Sequence, residues 1–291
     1  MSDDNLNTIM ELILSRFEDL TRAERQLANT LLENYPVSAL GSITQLAENA
    51  SVSSPTVARM VAKLGFKGFP HFQQRLRCEL SAKISNPIEK HDNWTQRAPD
   101  THILNQFTET VSQNIRRTLS QTDPQSFDQV VRILANTSNH VYITGGRITR
   151  SLAEYFFTHL QMIRADVTDM HSATNTWPHY IIDMKHNDVL VIFDIRRYEN
   201  DLLRLAEIAL QHKLTVILFT DQWSSPVSKY AKYKFNCQVE VPSAWDSSIV
   251  IMLIVEALIA ALQNSNWPKT KKRMKSLEQV FDKTRLFRKI H

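Results

Sequence analysis

The segment DVLVIFDIRRYEND (188–201) carries Asp194, Arg196, Arg197, Glu199 and Asp201 straight after the apolar run Val189 to Phe193. Charges of both signs at one place can do two things. An arginine offers a planar fork that grips a carboxylate or phosphate through paired hydrogen bonds, while a neighbouring carboxylate accepts from a hydroxyl or an amine. The same groups can also satisfy each other and close the place to any ligand. The residues leave both readings open.

A second stretch, GGRIT (145–149), places Gly145, Gly146, Arg147 and Thr149 between a strand-like run and a helix-like one. Backbone amides at a helix start attract anions, and the Thr149 hydroxyl could hold a phosphate there. Acid–base chemistry would need a base and an acid around a substrate, for which Glu199, His171, His179 and His186 are the candidates. Histidines in such loops are more often surface or packing residues, so no catalytic residue is assigned. Cys78 and Cys237 are the only cysteines, and neither belongs to a cluster with metal-ligand spacing. No metal or other cofactor is expected, and a reducing cytoplasm fits best.

These stretches need a scaffold. From 123 onward, apolar strands (140–144, 189–193, 214–220, and one near KFNCQVE) alternate with helical patterns. That alternation predicts a parallel sheet covered by helices on both faces, over residues 123–265. The run 249–262 contains Glu256 and is too short to span a bilayer, so it predicts a buried helix and no membrane partner. Before the sheet, 84–122 reads as a linker, with Pro87 and Pro99, followed by a helix. On one face that helix has Ile103, Leu104, Phe107, Val111, Ile115 and Leu119, ready to pack on the sheet domain or on a partner chain.

The first 83 residues have a different texture. Thr21 with Glu24 and Ser42 with Gln45 form capping boxes that start two short amphipathic helices. A third helix starts at Ser53 or Ser54, with Pro55 in its first turn and Val57, Met60, Val61 and Leu64 inward, and Gly65 ends it. Two short helices joined by a tight turn, the second one basic, form a helix-turn-helix whose second helix enters the DNA major groove. Thr56, Arg59 and Lys63 are placed on its outer face, Ser53 and Ser54 at its start toward phosphate, and Lys67 just beyond it.

Charge supports that placement. The chain of 291 residues has a net charge of only +4. Residues 53–83 hold six bases against Glu79, and 264–291 hold nine against Glu278 and Asp282, so the remainder is acidic. Concentrated positive charge is the footprint expected of segments that meet a polyanion. The tail, 266–291, spaces Met274, Leu277, Val280 (or Phe281) and Phe287 as a helix docked on its apolar side.

The wording from Ser53 to Phe69 carries a resemblance. Ser53, Thr56, Val57, Arg59, Lys63, Leu64, Gly65, Phe66, Gly68 and Phe69 resemble the motif of the RpiR (MurR/RpiR) family of bacterial transcriptional regulators. Ser51 stands where that family commonly has glycine in the turn. The family's second domain is a SIS (sugar isomerase) domain, a phosphosugar-binding α/β sandwich. Gly145 and Ala153 match the ends of its Gly-x-Gly-x-Ser-x-x-x-Ala motif, with Arg147 and Thr149 replacing the second glycine and the serine. Aligned on Asp188, the second loop, usually Ser-x-Ser-Gly-x-Thr-x-Glu, becomes Asp194, Arg196, Arg197, Glu199 and Asp201. Ser247 is kept, and Ser248 takes the place of an arginine.

The resemblance implies a regulator that binds an operator in double-stranded DNA, self-associates as a dimer or tetramer and answers a small-molecule effector. The loss of the loop hydroxyls implies an acidic metabolite other than a typical sugar phosphate. Its candidate contacts are Gly145, Arg147, Thr149, Asp194, Arg196, Arg197, Glu199 and Ser247. A ligand-free domain used for oligomerisation is the alternative, and a sugar-phosphate isomerase a more distant one.

Overall fold

The computed structural model describes residues 8–33, 35–84, 88, 90, 102–170 and 173–287. They belong to two compact units, one within Met1–Ile103 and Pro242–Trp245 and the other within Leu104–Val241 and Asp246–His291. The expected linker over 84–100 lies almost wholly outside the described residues, and His171 lies outside them too.

The first unit is built from α1 (Ile9–Ser15), α2 (Arg22–Glu33), α3 (Ile43–Asn49), α4 (Ser54–Lys63) and α5 (Phe69–Ile84). Their starts follow the capping logic of the sequence. The Thr21 amide donates to Glu24 Oε2 at 2.8 Å, and the Gln45 amide donates to Ser42 Oγ at 3.1 Å. Ser53 caps α4, its hydroxyl accepting from the Thr56 amide at 3.3 Å. Leu27, Leu31, Leu46, Val57, Met60, Phe72 and Leu76 close one core, each nearly or fully buried. Truncating Met60 to alanine there would cost about 2–5 kcal/mol. Ser51 in the α3–α4 turn has φ 51, a left-handed conformation that a side chain resists by about 1 kcal/mol.

The second unit runs α6 (Ile103–Gln121), α7 (Pro124–Ala135), β1 (Val141–Gly145), α8 (Arg150–Ile163), β2 (Val167–Asp169) and α9 (Trp177–Ile181). It continues with β3 (Val189–Phe193), α10 (Asn200–Gln211), β4 (Thr215–Asp221), β5 (Tyr233–Cys237), α11 (Ile249–Ser265) and α12 (Trp267–Thr284). All strand pairs are parallel, in the order β2-β1-β3-β4-β5. The chain moves outward one way from β1 to β2 and the other way from β3 onward. This leaves a crevice between the C-terminal tips of β1 and β3, the usual ligand position in such sheets.

The apolar strands explain why the tips hold still. Gly145, Phe193, Phe219 and Phe235 stand in one row across four strands. The Phe193 and Phe219 rings stack at 4.5 Å and those of Phe219 and Phe235 at 5.0 Å. Gly145 has no side chain because a Cβ would lie 2.7 Å from the Thr149 carbonyl, so its absence lets the start of α8 close onto the strand. On the other face Leu190, Ile192, Val216 and Leu218 pack with Leu202, Leu205, Ala206 and Ala209 of α10. α11 is buried through Ile251, Ile254, Val255 and Leu258. Among the described residues no single helix is long and apolar enough to cross a membrane.

Two expected apolar faces are only partly used. α6 docks through polar groups: Asn114 Nδ2 donates to the Glu240 carbonyl at 2.7 Å, and the Gln238 amide donates to Thr118 Oγ1 at 3.0 Å. That rotation buries Val111 and turns Leu104 and Leu119 outward. α12 is held by Arg273 Nε, which donates to the Gln161 carbonyl at 2.8 Å, and by Lys269 Nζ on Thr137 Oγ1 at 2.8 Å. Met274, Leu277 and Phe281 are half-buried there, while Val280 and Phe287 are exposed.

Candidate functional site

In the first unit, Ser53, Arg59, Lys63 and Lys67 all reach solvent, and Ser54 is half-buried. Arg59 is braced along the helix, its guanidinium donating to Thr56 Oγ1 at 3.3 Å. Thr56 itself differs from the expectation. It is buried, because α4 carries it on the same side as Met60, and its hydroxyl lies 2.9 Å from Ser53 Oγ. It orients Arg59 and Ser53 and does not face outward.

Lys63 is also committed inside the unit. Its ammonium lies 2.8 Å from Glu24 Oε2 and donates to the Asp19 carbonyl at 3.0 Å. Burial pushes the Glu24 carboxyl up, but the Lys63 ammonium and the Thr21 amide and hydroxyl outweigh it and hold Glu24 below its ordinary value. Lys63 therefore ties α4 to the start of α2.

In the second unit the two loops meet at the crevice. Glu199 Oε1 accepts from the Arg147 amide at 2.6 Å, so a carboxylate occupies a backbone donor before α8. Gly146 makes room for it, since a Cβ there would lie 2.8 Å from Glu199 Oε1. Glu199 makes no side-chain cap on its own helix, α10. Among the described residues its carboxylate accepts from the neighbouring loop.

The remaining expected contacts divide into buried and free. Thr149 is buried and its hydroxyl donates to the Phe193 carbonyl at 2.6 Å, so it fastens β3 to α8 and is not available to a phosphate. Asp194 is buried, accepting from the Ser225 hydroxyl and from the Glu199 amide. Burial pushes its carboxyl to about 7, the two hydrogen bonds only partly opposing this, and the Asp221 and Glu199 charges add to the rise. Ser247 Oγ accepts from the Ile249 amide at 3.3 Å and so shapes the start of α11.

Arg196 is the main departure from its expected role as a ligand fork. Its side chain is 4% exposed and its guanidinium lies 4.1 Å from the Trp223 ring centroid. Glu240 Oε1 stands 3.2 Å from Nη2, and Asp246 Oδ2 stands 2.9 Å from Nε, an ion pair not aligned as a hydrogen bond. A guanidinium between two carboxylates and an indole face is structural. Arg147 and Arg197 are different. Both side chains are exposed, with no partner among the described residues, and Arg197 has φ 65.

The loop is anchored by Asp221, a residue sequence reasoning did not single out. Fully buried at the tip of β4, it accepts from the Arg196 amide at 2.7 Å, the Tyr198 hydroxyl at 2.8 Å and the Trp223 amide at 2.9 Å. A charged residue ending the apolar run LFTD was its signal. Among the described residues no group of three or more His, Cys, Asp or Glu could hold a metal ion.

A helix-turn-helix unit joined to a parallel α/β unit with a crevice at its switch point defines a DNA-binding regulator that carries a sugar-isomerase-type domain. The comparisons with known proteins agree. Residues 7–83 match the helix-turn-helix domain of the rpiR family, and residues 133–261 match the SIS domain. The chain belongs to the RpiR family of transcriptional regulators, and its SIS domain is regulatory rather than catalytic.

An uncharacterized HTH-type transcriptional regulator of Haemophilus influenzae is 24% identical over 226 residues, 77% of this chain and 78% of the relative. The HTH-type transcriptional regulator HexR of Pseudomonas aeruginosa is 24% identical over 221 residues, 74% of each. Among solved structures, the Vibrio vulnificus NanR protein complexed with ManNAc-6P is similar at TM-score 0.55 and 19% identity. It covers 94% of this chain and 98% of that one. The sugar isomerase domain of an RpiR transcription factor from Sphaerobacter thermophilus is similar at TM-score 0.57 and 16% identity, covering 62% of this chain and 99% of that one.

Proposed function

We propose that this regulator senses a small acidic metabolite at the crevice between β1 and β3, and that Glu199 is an internal occupant of the anion position which the effector displaces. The observation that carries this reading is the 2.6 Å contact between Glu199 Oε1 and the Arg147 amide. A backbone donor already aimed at a carboxylate suits another carboxylate. Arg147 and Arg197, exposed and unpartnered among the described residues, are the charged anchors left for it. Arg196 and Asp194 fix the loop.

NanR is similar to this chain in fold and is described with a sugar phosphate bound. The present loops lack the small hydroxyls and keep a buried carboxylate, Asp194, near the crevice, which favours a sugar acid, an amino acid or a related compound. The effector changes how two copies of the helix-turn-helix unit are spaced on a twofold-symmetric operator, the chain acting in the cytoplasm as a dimer or tetramer.

A closed domain that takes no effector is the second reading. It draws on Arg196, Asp194 and Glu199 each being satisfied internally. A thermal-shift screen with sugar phosphates, sugar acids and amino acids separates the two. A ligand at a hundred times its dissociation constant adds about 2.7 kcal/mol of stability. A stabilising acid whose effect is lost in Arg147→Ala and Arg197→Ala is the expected result. No stabilising acid favours the closed domain, and hexose phosphates as the best hits overturn the choice of ligand.

A further inference from the structure

The opposite edge of the same sheet holds a cavity of about 450 Å³, at the N-terminal ends of β1 and β3 and remote from the crevice at their tips. Its wall is prebuilt. Arg164, 3% exposed, donates to the carbonyls of Leu134 and Asn136 at 2.7 and 3.0 Å and to Asn139 Oδ1 at 3.2 Å, which locks the turn before β1.

Tyr142 lines this cavity, is 5% exposed, and its hydroxyl has no hydrogen-bond partner among the described residues. The ring is buried, and the hydroxyl opens into the cavity, where it can donate to or accept from whatever enters. Burial, with Asp188 and Asp183 nearby, pushes its pKa to about 12, so it stays a neutral donor and acceptor.

The charges around it are unequal. Asp188 is spent on structure, accepting from the His140 and Lys185 amides at 2.8 Å each. Asp166 and Asp183 line the cavity and are exposed, with no side-chain partner among the described residues. Lys185 is the single lysine among the lining residues. His140 adds no charge at neutral pH. Burial lowers its pKa below the ordinary value, and its Nε2 lies 2.8 Å from Thr168 Oγ1. The site has three carboxylates against the Lys185 ammonium and the Arg164 guanidinium buried in its wall, whose charge acts on Asp166 and Asp188, so the balance remains negative. The His140 and Tyr142 rings, 4.5 Å apart, supply an apolar wall beside them.

We propose that this cavity is a second ligand site, for a small organic primary amine. Its ammonium group would donate to Asp166 and Asp183 and meet the Tyr142 hydroxyl, with its carbon chain against the His140 and Tyr142 rings. The site is independent of Glu199 and of the reading of the crevice.

Three compounds of one four-carbon skeleton test it: putrescine with two ammonium ends, butane-1,4-diol with two hydroxyls, and succinate with two carboxylates. Each is titrated into the full chain by calorimetry, and amide chemical shifts locate the binding. Putrescine should bind saturably and move resonances in 137–142 and 183–188, the diol more weakly, and succinate not at all. Losing a charged hydrogen bond weakens binding by roughly tenfold or more, so Asp166→Asn and Asp183→Asn should each show about that loss. Tyr142→Phe keeps the ring and should weaken putrescine severalfold. Absent putrescine binding, equal binding to all variants, or succinate binding as tightly as putrescine would each overturn the proposal.

Discussion

Lys63 Nζ stands 2.8 Å from Glu24 Oε2, so the C-terminal end of α4 is fastened to the start of α2. Lys63→Ala removes this and the bond to the Asp19 carbonyl. The expected loss is about 1–2 kcal/mol of unfolding stability, the lysine being partly solvated. Chemical denaturation of parent and variant checks it.

Arg59 is the contrasting case, exposed and braced by Thr56. Arg59→Ala should leave stability nearly unchanged and cost about 1–3 kcal/mol of specific operator binding if it reads a base edge. Unchanged operator affinity at fixed salt would remove α4 from the recognition role.

A single small helix-turn-helix reads few bases, so paired units should protect two half-sites about one helical turn, or a multiple of it, apart. Footprinting that shows one isolated half-site under a monomer would contradict this.

Asp194 makes stability depend on pH. Its folded pKa, about 7, lies above the ordinary value of 3.8, so the native state holds a proton that the unfolded chain releases. Its contribution is fully present below the unfolded value, and stability falls as pH rises from about 4 through about 7. Asp194→Asn should remove its share of that fall while keeping an acceptor for the Ser225 hydroxyl; Glu79, pushed by burial to about 8, adds a share of the same sign that remains. Thermal unfolding across this range reads the difference in slope between parent and variant.

Much of this was legible in local patterns. The caps at Thr21, Ser42 and Ser53, the apolar strands and Gly65 are short-range signals, and α2 to α4, β1, β3, β4 and β5 stand where those signals put them; the three-residue strand β2 was too short to leave such a signal. Thr56 was misplaced because it sits at the border of the helix face, where a small hydroxyl turns inward to its cap. Arg196 could not be read from its own segment. Its partners Trp223, Glu240 and Asp246 come from chain far downstream, and only the folded sheet brings them to one point. Asp221 was hidden the same way, as the anchor of a loop that precedes it by about 25 residues.

The most direct test of the central claim is whether emptying the Glu199 position opens it to a simple anion. Glu199→Ala removes the carboxylate from the Arg147 amide without removing a cap from α10. With inorganic sulfate titrated against parent and variant in a thermal-shift assay, the variant should gain clearly more stability than the parent. Adding Arg147→Ala, which keeps the backbone amide and removes the charge beside it, should reduce that gain. Equal stabilisation of parent and Glu199→Ala would contradict the account, because the carboxylate would then not be occupying an anion site.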